Sequence, residues 1–201
     1  YNDKRFHVIK KEQNSGIIDT LNIGLDYITS EYIVRMDGDD RMNLRRLEKL
    51  VNFMDNHTKF GVCGSAIQHF GISTETITYP SNPQLNNANL IFRHSIGHAS
   101  IIIRNSILKK HKIKYSTGFQ YMEDYKLFYD LSKVTLTTSI PDILYYYRRE
   151  EYNNFKHQNI IQVGCEKIYL DIFERLNFNP STNFTLLHYE LRYLNNLTHS
   201  L

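Results

Sequence analysis

The sequence predicts an α/β domain, because short apolar runs rich in β-branched residues alternate with segments whose apolar residues recur at helical spacing. The first alternation is a strand at 6–9, a helix at 17–28 and a buried strand at 32–36. Two strands joined by a helix are expected to run parallel, with a right-handed crossover. The length of 201 residues allows one sizeable core, so we expect one domain over 1–150 and a helical extension over 151–201.

The other elements follow the same two patterns. Apolar residues recur at helical spacing from Leu44 to Met54, which predicts a helix that packs one face on the sheet. Pro141 indicates a turn between the last two strands. In chain order we expect a strand at 59–68, a short helix at 86–92, a strand at 99–103, a helix opening at Glu123, strands at 134–138 and 142–147, and helices at 155–176 and 182–197.

Composition excludes several classes of protein. The chain is 41% hydrophobic and 22% charged, which argues against disorder, and no apolar run approaches the length of a membrane span. The net charge of +3 is too small to indicate nucleic acid, although it is compatible with an anionic membrane surface. Cys63 and Cys165 lack metal-ligand spacing, so we expect reduced core thiols. We therefore expect a cytoplasmic protein, with peripheral contact at the inner face of the membrane as an open alternative.

Three carboxylates, Asp37, Asp39 and Asp40, stand where the strand at 32–36 stops. Carboxylates held this close repel one another, so the ionised cluster needs a cation or must splay into water. Carboxylate oxygens suit Mg²⁺ and Mn²⁺, and a site with few protein ligands leaves room for phosphate oxygens. The simpler alternative is a solvated, Asp-rich turn that caps the next helix.

A second acidic pair, Glu123 and Asp124, opens a later helix, whose apolar face continues through Leu127, Phe128 and Leu131. The helix macrodipole favours acidic residues in the first turn. Capping alone would therefore explain the pair, and a catalytic role needs further support.

Together these motifs resemble family 2 glycosyltransferases, whose nucleotide-binding fold is called GT-A. The resemblance is carried by residues 31–40, Glu-Tyr-Ile-Val-Arg-Met-Asp-Gly-Asp-Asp, and by the Arg-Leu-Glu-Lys-Leu that begins at Arg46. It extends over about residues 6–148 and implies a GT-A (Rossmann-like) mixed sheet flanked by helices. It also implies a divalent cation, Mn²⁺ or Mg²⁺, held by Asp39, with Asp37 facing ribose or metal.

The resemblance assigns further residues. The string Glu-Asp-Tyr-Lys-Leu at 123–127 resembles the segment that carries the catalytic base of inverting family members, which places the base at Asp124 beside Glu123. The candidate donor-binding residues are Asp37, Asp39, Asp40, Asn14 and Asn22. For two of them a simpler interpretation is equally open: Asn14 could cap a helix, and Asn22 could be an exposed helix residue without a role in binding. The candidate acceptor-side residues are His98, where Ala99 replaces the family's usual Pro, and Arg148.

The resemblance implies an inverting transfer of a sugar from a nucleotide-diphosphate sugar, most often a UDP-sugar. The acceptor would be a hydroxyl of a glycan or a lipid-linked saccharide, as in surface polysaccharide synthesis. Two alternatives stay open, a nucleotidyltransferase with a similar metal-diphosphate site and a non-catalytic fragment of glycosyltransferase ancestry. Family members normally begin with two further strands that bind the nucleobase and ribose, so we expect this chain to lack that N-terminal segment.

Overall fold

The computed structural model describes residues 3–150, 157–181, 184, 187 and 188. A short 3₁₀ turn, His98–Ser100, precedes the fifth strand. The helices and strands of this part of the chain are α1 (Ile17–Tyr27), β1 (Tyr32–Val34), β2 (Arg41–Met42), α2 (Arg46–Asn56), β3 (Phe60–Gly71), β4 (Thr76–Ile77), α3 (Pro83–Asn89), β5 (Ile102–Arg104), α4 (Asn105–His111), α5 (Glu123–Ser132), β6 (Leu136–Arg149) and α6 (Gln158–Arg175).

The strands form one mixed sheet in the order β1-β5-β3-β6-β2, with β4 paired to β3. The long central strands β3 and β6 run parallel, whereas β5 is antiparallel to both of its neighbours. The two ends of the sheet are β1 and β2, and β2 is antiparallel to β6. The segment between β1 and β2 therefore crosses from one end of the sheet to the other.

The predicted strand at 6–9 does not form. Phe6 is 63% and Val8 is 95% exposed, and these residues lie outside the sheet. Within the described residues β1 pairs only with β5, in antiparallel fashion, so the predicted parallel βαβ unit is also wrong. A short apolar run gains little from an extended conformation unless a neighbouring strand pairs with it.

The last two predicted strands are one strand, β6. Its pairing to β3 steps from Ser65↔Ile140 to Ala66↔Ile143, so Pro141 and Asp142 lie in a bulge. A bulge accommodates proline, which has no N–H to donate to the neighbouring strand. The predicted helix at 86–92 begins earlier, at Pro83, because the side chain of Asn82 caps it.

The sheet is buried on both faces. Along β3, Val62 faces a core formed with α1, α5 and α6, whereas Cys63 faces a second core formed with α2. This alternation follows from the two-residue period of a strand. Cys165 lies in the first core, so neither cysteine is disulfide-bonded, as predicted, and burial raises the pKa of Cys63 to about 12. Helix α6 fits the helix predicted at 155–176, whereas most of 182–197 lies outside the described residues.

Candidate functional site

The segment that links β1 to β2, residues 35–40, is called the acidic loop below. Its three carboxylates have different surroundings: Asp39 is exposed, Asp37 is half-buried and Asp40 is only 8% exposed. The sequence alone could not separate them, because all three follow the same strand within four residues.

Asp37 forms an ion pair within the acidic loop. Arg35 donates from Nη1 to Oδ2 at 2.6 Å and from Nη2 to Oδ1 at 2.5 Å, a two-pronged contact that matches guanidinium to carboxylate. Part of the repulsion expected between the carboxylates is therefore relieved by a neighbouring arginine. Sequence reasoning missed Arg35 as a site residue, although it lies inside the quoted motif.

Asp40 is held against β6. The hydroxyl of Tyr145 donates to Asp40 Oδ2 at 2.6 Å, and the backbone N–H of Arg148 donates to Oδ1 at 2.7 Å. Both carboxylate oxygens therefore accept hydrogen bonds from the strand next to the loop. Asp39 is left as the most accessible carboxylate, whereas Asp37 is half-buried and both of its oxygens contact Arg35.

Arg148, expected on the acceptor side, lies beside the acidic loop. Its Nε donates to the backbone carbonyl of Asp39 at 3.0 Å, and its guanidinium stacks 5.0 Å from the centre of the Phe70 ring. The structure thus brings Arg148 together with the carboxylates, which the chain order could not show.

Glu123 and Asp124 begin α5, as predicted. Burial raises the pKa of Glu123, and the neighbouring charge of Asp124 adds to this effect. Asp124 Oδ2 lies 3.9 Å from Nδ1 of His94, a residue that the sequence analysis did not single out. The pair therefore places a partly buried carboxyl beside a carboxylate that faces a histidine.

Tyr115 is a buried residue that His98 and Asn22 hold in place. It is 6% exposed, and Nε2 of His98 lies 2.7 Å from its hydroxyl. Burial raises the pKa of Tyr115, and nearby charges from both groups act on it as well: Arg35, Asp37, Glu123 and Asp124. The ring of His98 also packs edge-on against Phe128 of α5, and Arg35 of the acidic loop lines a cavity together with Tyr115 and Leu127, so the loop and α5 adjoin the same region.

The two asparagines form hydrogen bonds within the protein. Asn14 Oδ1 accepts from the backbone N–H of Gly16 at 3.0 Å, in a turn that leads into α1. Asn22 Nδ2 donates to the carbonyl of Tyr115, and Asn22 Oδ1 accepts from the Tyr115 N–H, each at 2.9 Å. Asn22 is thus a support for Tyr115, from a distance of 93 residues along the chain.

A cavity of about 240 Å³ opens beside this region. It lies between α1 and the end of β1, and its walls include Arg35, Met36, Tyr115 and Leu127. Most of its lining residues are apolar, and Arg35 is the charged residue among them. The cavity adjoins the acidic loop through Arg35 and Met36.

The acidic side chains of the site supply only part of the coordination of a divalent cation. No group of three or more His, Cys, Asp or Glu side chains in the described residues could hold a metal by itself. Asp39 and Asp37 nevertheless offer carboxylate oxygens, which suit Mg²⁺ and Mn²⁺ when a diphosphate and water complete the coordination. The residues therefore fit a cation shared with a substrate, and do not fit a cation held by protein alone.

Because His98 is buried, we expect the free energy of unfolding of the protein to depend on pH. Burial lowers the pKa of His98 from 6.5 to about 3, so the folded state holds the imidazole neutral. Its contribution to the free energy of unfolding is present above pH 6.5 and is lost as the pH falls from 6.5 towards 3. We expect about 2 kcal/mol to be lost between pH 7.5 and 5.0, measured by urea unfolding. His98→Gln should remove this part of the pH dependence, whereas His7→Gln, at an exposed position, should keep it. Equal pH dependence in all three proteins would contradict the assignment.

The mixed sheet with its flanking helices, and the acidic loop that follows β1, define a domain of the α/β class. The sequence model of glycosyl transferase family 2 matches residues 1–121, which is more than half of the chain. The chain belongs to this family.

Two curated relatives are informative. An uncharacterized glycosyltransferase of Haemophilus influenzae is 29% identical over 157 residues, which are 73% of this chain and 49% of the relative. The amylovoran biosynthesis glycosyltransferase AmsE of Erwinia amylovora is 26% identical over 145 residues, 68% of this chain and 52% of the relative. The chain thus spans about half the length of these relatives.

The fold also matches that of a solved structure. S. aureus TarS 1–349, in complex with UDP-GlcNAc, superimposes with a TM-score of 0.62 at 17% identity, covering 87% of this chain and 52% of that structure. At this identity the likeness shows the fold alone, and it confirms the predicted GT-A sheet flanked by helices. In the described part of the chain, no helix has the length and apolar character needed to cross a membrane.

Proposed function

We propose that this chain carries the catalytic centre of an inverting glycosyltransferase. It would transfer a sugar from a nucleotide-diphosphate sugar, with UDP-sugars as the first candidates, to a hydroxyl of a glycan or lipid-linked saccharide in polysaccharide biosynthesis. The observation that carries this proposal is that Arg35 and Met36 of the acidic loop line one cavity together with Tyr115 and with Leu127 of α5, the helix that Glu123 and Asp124 begin. The name of AmsE, an amylovoran biosynthesis glycosyltransferase, supports a role in polysaccharide biosynthesis. The UDP-GlcNAc bound to TarS supports a UDP-sugar as the donor.

The acidic loop serves the leaving group in this proposal. Asp39 and Asp37 would hold Mn²⁺ or Mg²⁺, which when bound neutralises the charge that develops on the departing diphosphate. Arg35 is 14% exposed and already contacts Asp37, so its guanidinium can contribute positive charge on the same side. Asp40 and Arg148 keep the loop against β6 while these groups act.

Asp124 serves the acceptor. The acceptor oxygen attacks the anomeric carbon opposite the diphosphate, the bond from that carbon to the diphosphate oxygen breaks, and the hydroxyl proton passes to Asp124. His94, 3.9 Å from Asp124 Oδ2, helps to fix the orientation of this carboxylate. Glu123 lies next to this base at the start of α5, and burial raises its pKa.

We place the reaction in the cytoplasm, with peripheral contact at the inner face of the membrane. Two buried thiols that form no disulfide suit a reducing compartment. The exposed basic residues at the end of α4, Lys109, Lys110 and Lys112, offer a surface for anionic lipid or for a lipid-linked acceptor.

A panel of nucleotide sugars tests the donor and the reaction class. The purified protein that carries this chain is incubated with each donor, Mn²⁺ and a saccharide acceptor, and nucleoside diphosphate and glycosylated product are both measured. We expect one donor to give both products in equal amounts, at a rate on the order of tenfold or more above a chelator control. Inorganic diphosphate would indicate nucleotidyl transfer, nucleoside diphosphate without glycosylated product would indicate hydrolysis, and no turnover with any donor would favour a non-catalytic protein.

A further inference from the structure

Tyr145 touches the acidic loop at two points. Its hydroxyl accepts from the backbone N–H of Asp37 at 3.0 Å and donates to Asp40 Oδ2 at 2.6 Å. The side chain is fully buried, on the middle part of β6. One hydroxyl therefore joins both ends of the Asp-Gly-Asp-Asp turn to β6, the strand that pairs in parallel with β3.

Arg46, the first residue of α2, contacts the same loop at its first residue, Arg35. It is fully buried, and its Nη2 donates to the carbonyls of Arg35 and Ala99, each at 2.8 Å. Its guanidinium also lies 4.7 Å from the centre of the Tyr145 ring. Arg46 thus links the start of the acidic loop to the 3₁₀ turn that carries His98.

The burial of Arg46 is costly. In the described structure its Nε and Nη1 have no hydrogen-bond partner, and burial lowers its pKa to about 10. An apolar side chain of similar size would avoid this cost, since a buried charge without a carboxylate partner is unfavourable. The contacts that compensate are those to the ring of Tyr145 and to the carbonyls of Arg35 and Ala99.

We propose that Tyr145 and Arg46 are positioning residues that determine which carboxylates of the acidic loop can reach a ligand. They hold Asp40 inward and fix the backbone at Arg35 and at Asp37, so that Asp37 and Asp39 remain the carboxylates with exposed surface. The link from Arg46 to Ala99 extends the same support to the segment of His98. The consequence for metal and diphosphate binding rests on the proposed function, whereas the positioning itself does not.

Tyr145→Phe separates positioning from packing. Phenylalanine keeps the ring, its burial and its contact with Arg46, and removes only the hydroxyl. Tyr146→Phe is the matched control, because Tyr146 is the next residue of β6 and pairs with Arg41 and Gln68. Arg46→Lys keeps the charge and removes the forked donor, and Arg45→Lys, at an exposed position, is its control.

The readout is amide hydrogen exchange of the peptide that covers the acidic loop, followed by mass spectrometry under native conditions. We expect exchange in this peptide to become about tenfold faster in Tyr145→Phe and in Arg46→Lys, with no change in either control. The peptide of α5 should exchange at the wild-type rate in every folded variant. If the loop peptide of Tyr145→Phe exchanged at the wild-type rate, the proposal would be overturned. If Arg46→Lys does not fold, the result for Tyr145→Phe alone decides between these outcomes.

A second readout concerns the cation. The Mn²⁺ concentration for half-maximal sugar transfer should rise about tenfold in Tyr145→Phe and remain unchanged in Tyr146→Phe. A faster-exchanging loop with an unchanged Mn²⁺ requirement would overturn the link to the metal. A wild-type protein that transfers no sugar would end the proposed function, while loop exchange still decides the positioning role.

Discussion

Asp124→Asn is expected to lower kcat by ~10²–10⁴-fold, because a positioned general base typically contributes that much. The KM for the donor should remain nearly unchanged, since the base acts on the acceptor proton in the transition state. The asparagine keeps the size and a hydrogen-bonding oxygen near His94, and it cannot take up the proton. The measurement is steady-state kinetics with saturating acceptor, alongside thermal unfolding to show that the variant is folded.

Asp130→Asn is the control for Asp124→Asn. Asp130 lies on the same helix and pairs with Lys126 and Lys133, away from the acidic loop. It should retain the wild-type kcat. A folded Asp124→Asn variant that kept its kcat and lost donor affinity would identify Asp124 as a binding or capping residue instead.

Asp39→Asn is expected to abolish Mn²⁺-dependent turnover, with a loss of on the order of 10²-fold or more. Asp39 is the most exposed carboxylate of the loop, so stability should change by no more than about 0.5 kcal/mol. Turnover is measured against Mn²⁺ concentration and unfolding against urea concentration, so that a loss of activity can be distinguished from a loss of stability.

Asp26→Asn is a suitable control for Asp39→Asn, because Asp26 is exposed and pairs with Lys114. Its metal dependence should match that of the wild-type protein. Full activity in Asp39→Asn, with no requirement for a divalent cation, would rule out the assignment of Asp39 as a metal ligand.

The site was predictable where it depends on local order. The run at 32–36 and the three aspartates that follow could be placed at the end of a strand, because β-branched residues and an Asp-Gly turn have strong local preferences. Glu123 and Asp124 could be placed in the first turn of a helix for the same reason. What each carboxylate contacts could not be predicted, because those partners lie far away in the sequence.

Three contacts illustrate that limit. Asp40 is engaged by Tyr145 from 105 residues away, and Asn22 supports Tyr115 from 93 residues away. Arg46 spans 53 residues to reach Ala99. Each of these residues has an ordinary local role in the sequence, as a turn, helix or strand residue. Their roles at the site follow only from packing.

The sequence by itself determined the α/β class, the main helices and the two acidic groups, because periodicity and turn chemistry act over a few residues. The tertiary structure decided the rest. It left residues 6–9 outside the sheet and paired β1 with β5 in antiparallel fashion, since a strand forms only where another strand offers it hydrogen bonds. It also separated buried Asp40 from exposed Asp39, because burial depends on which side chains from distant segments cover a position.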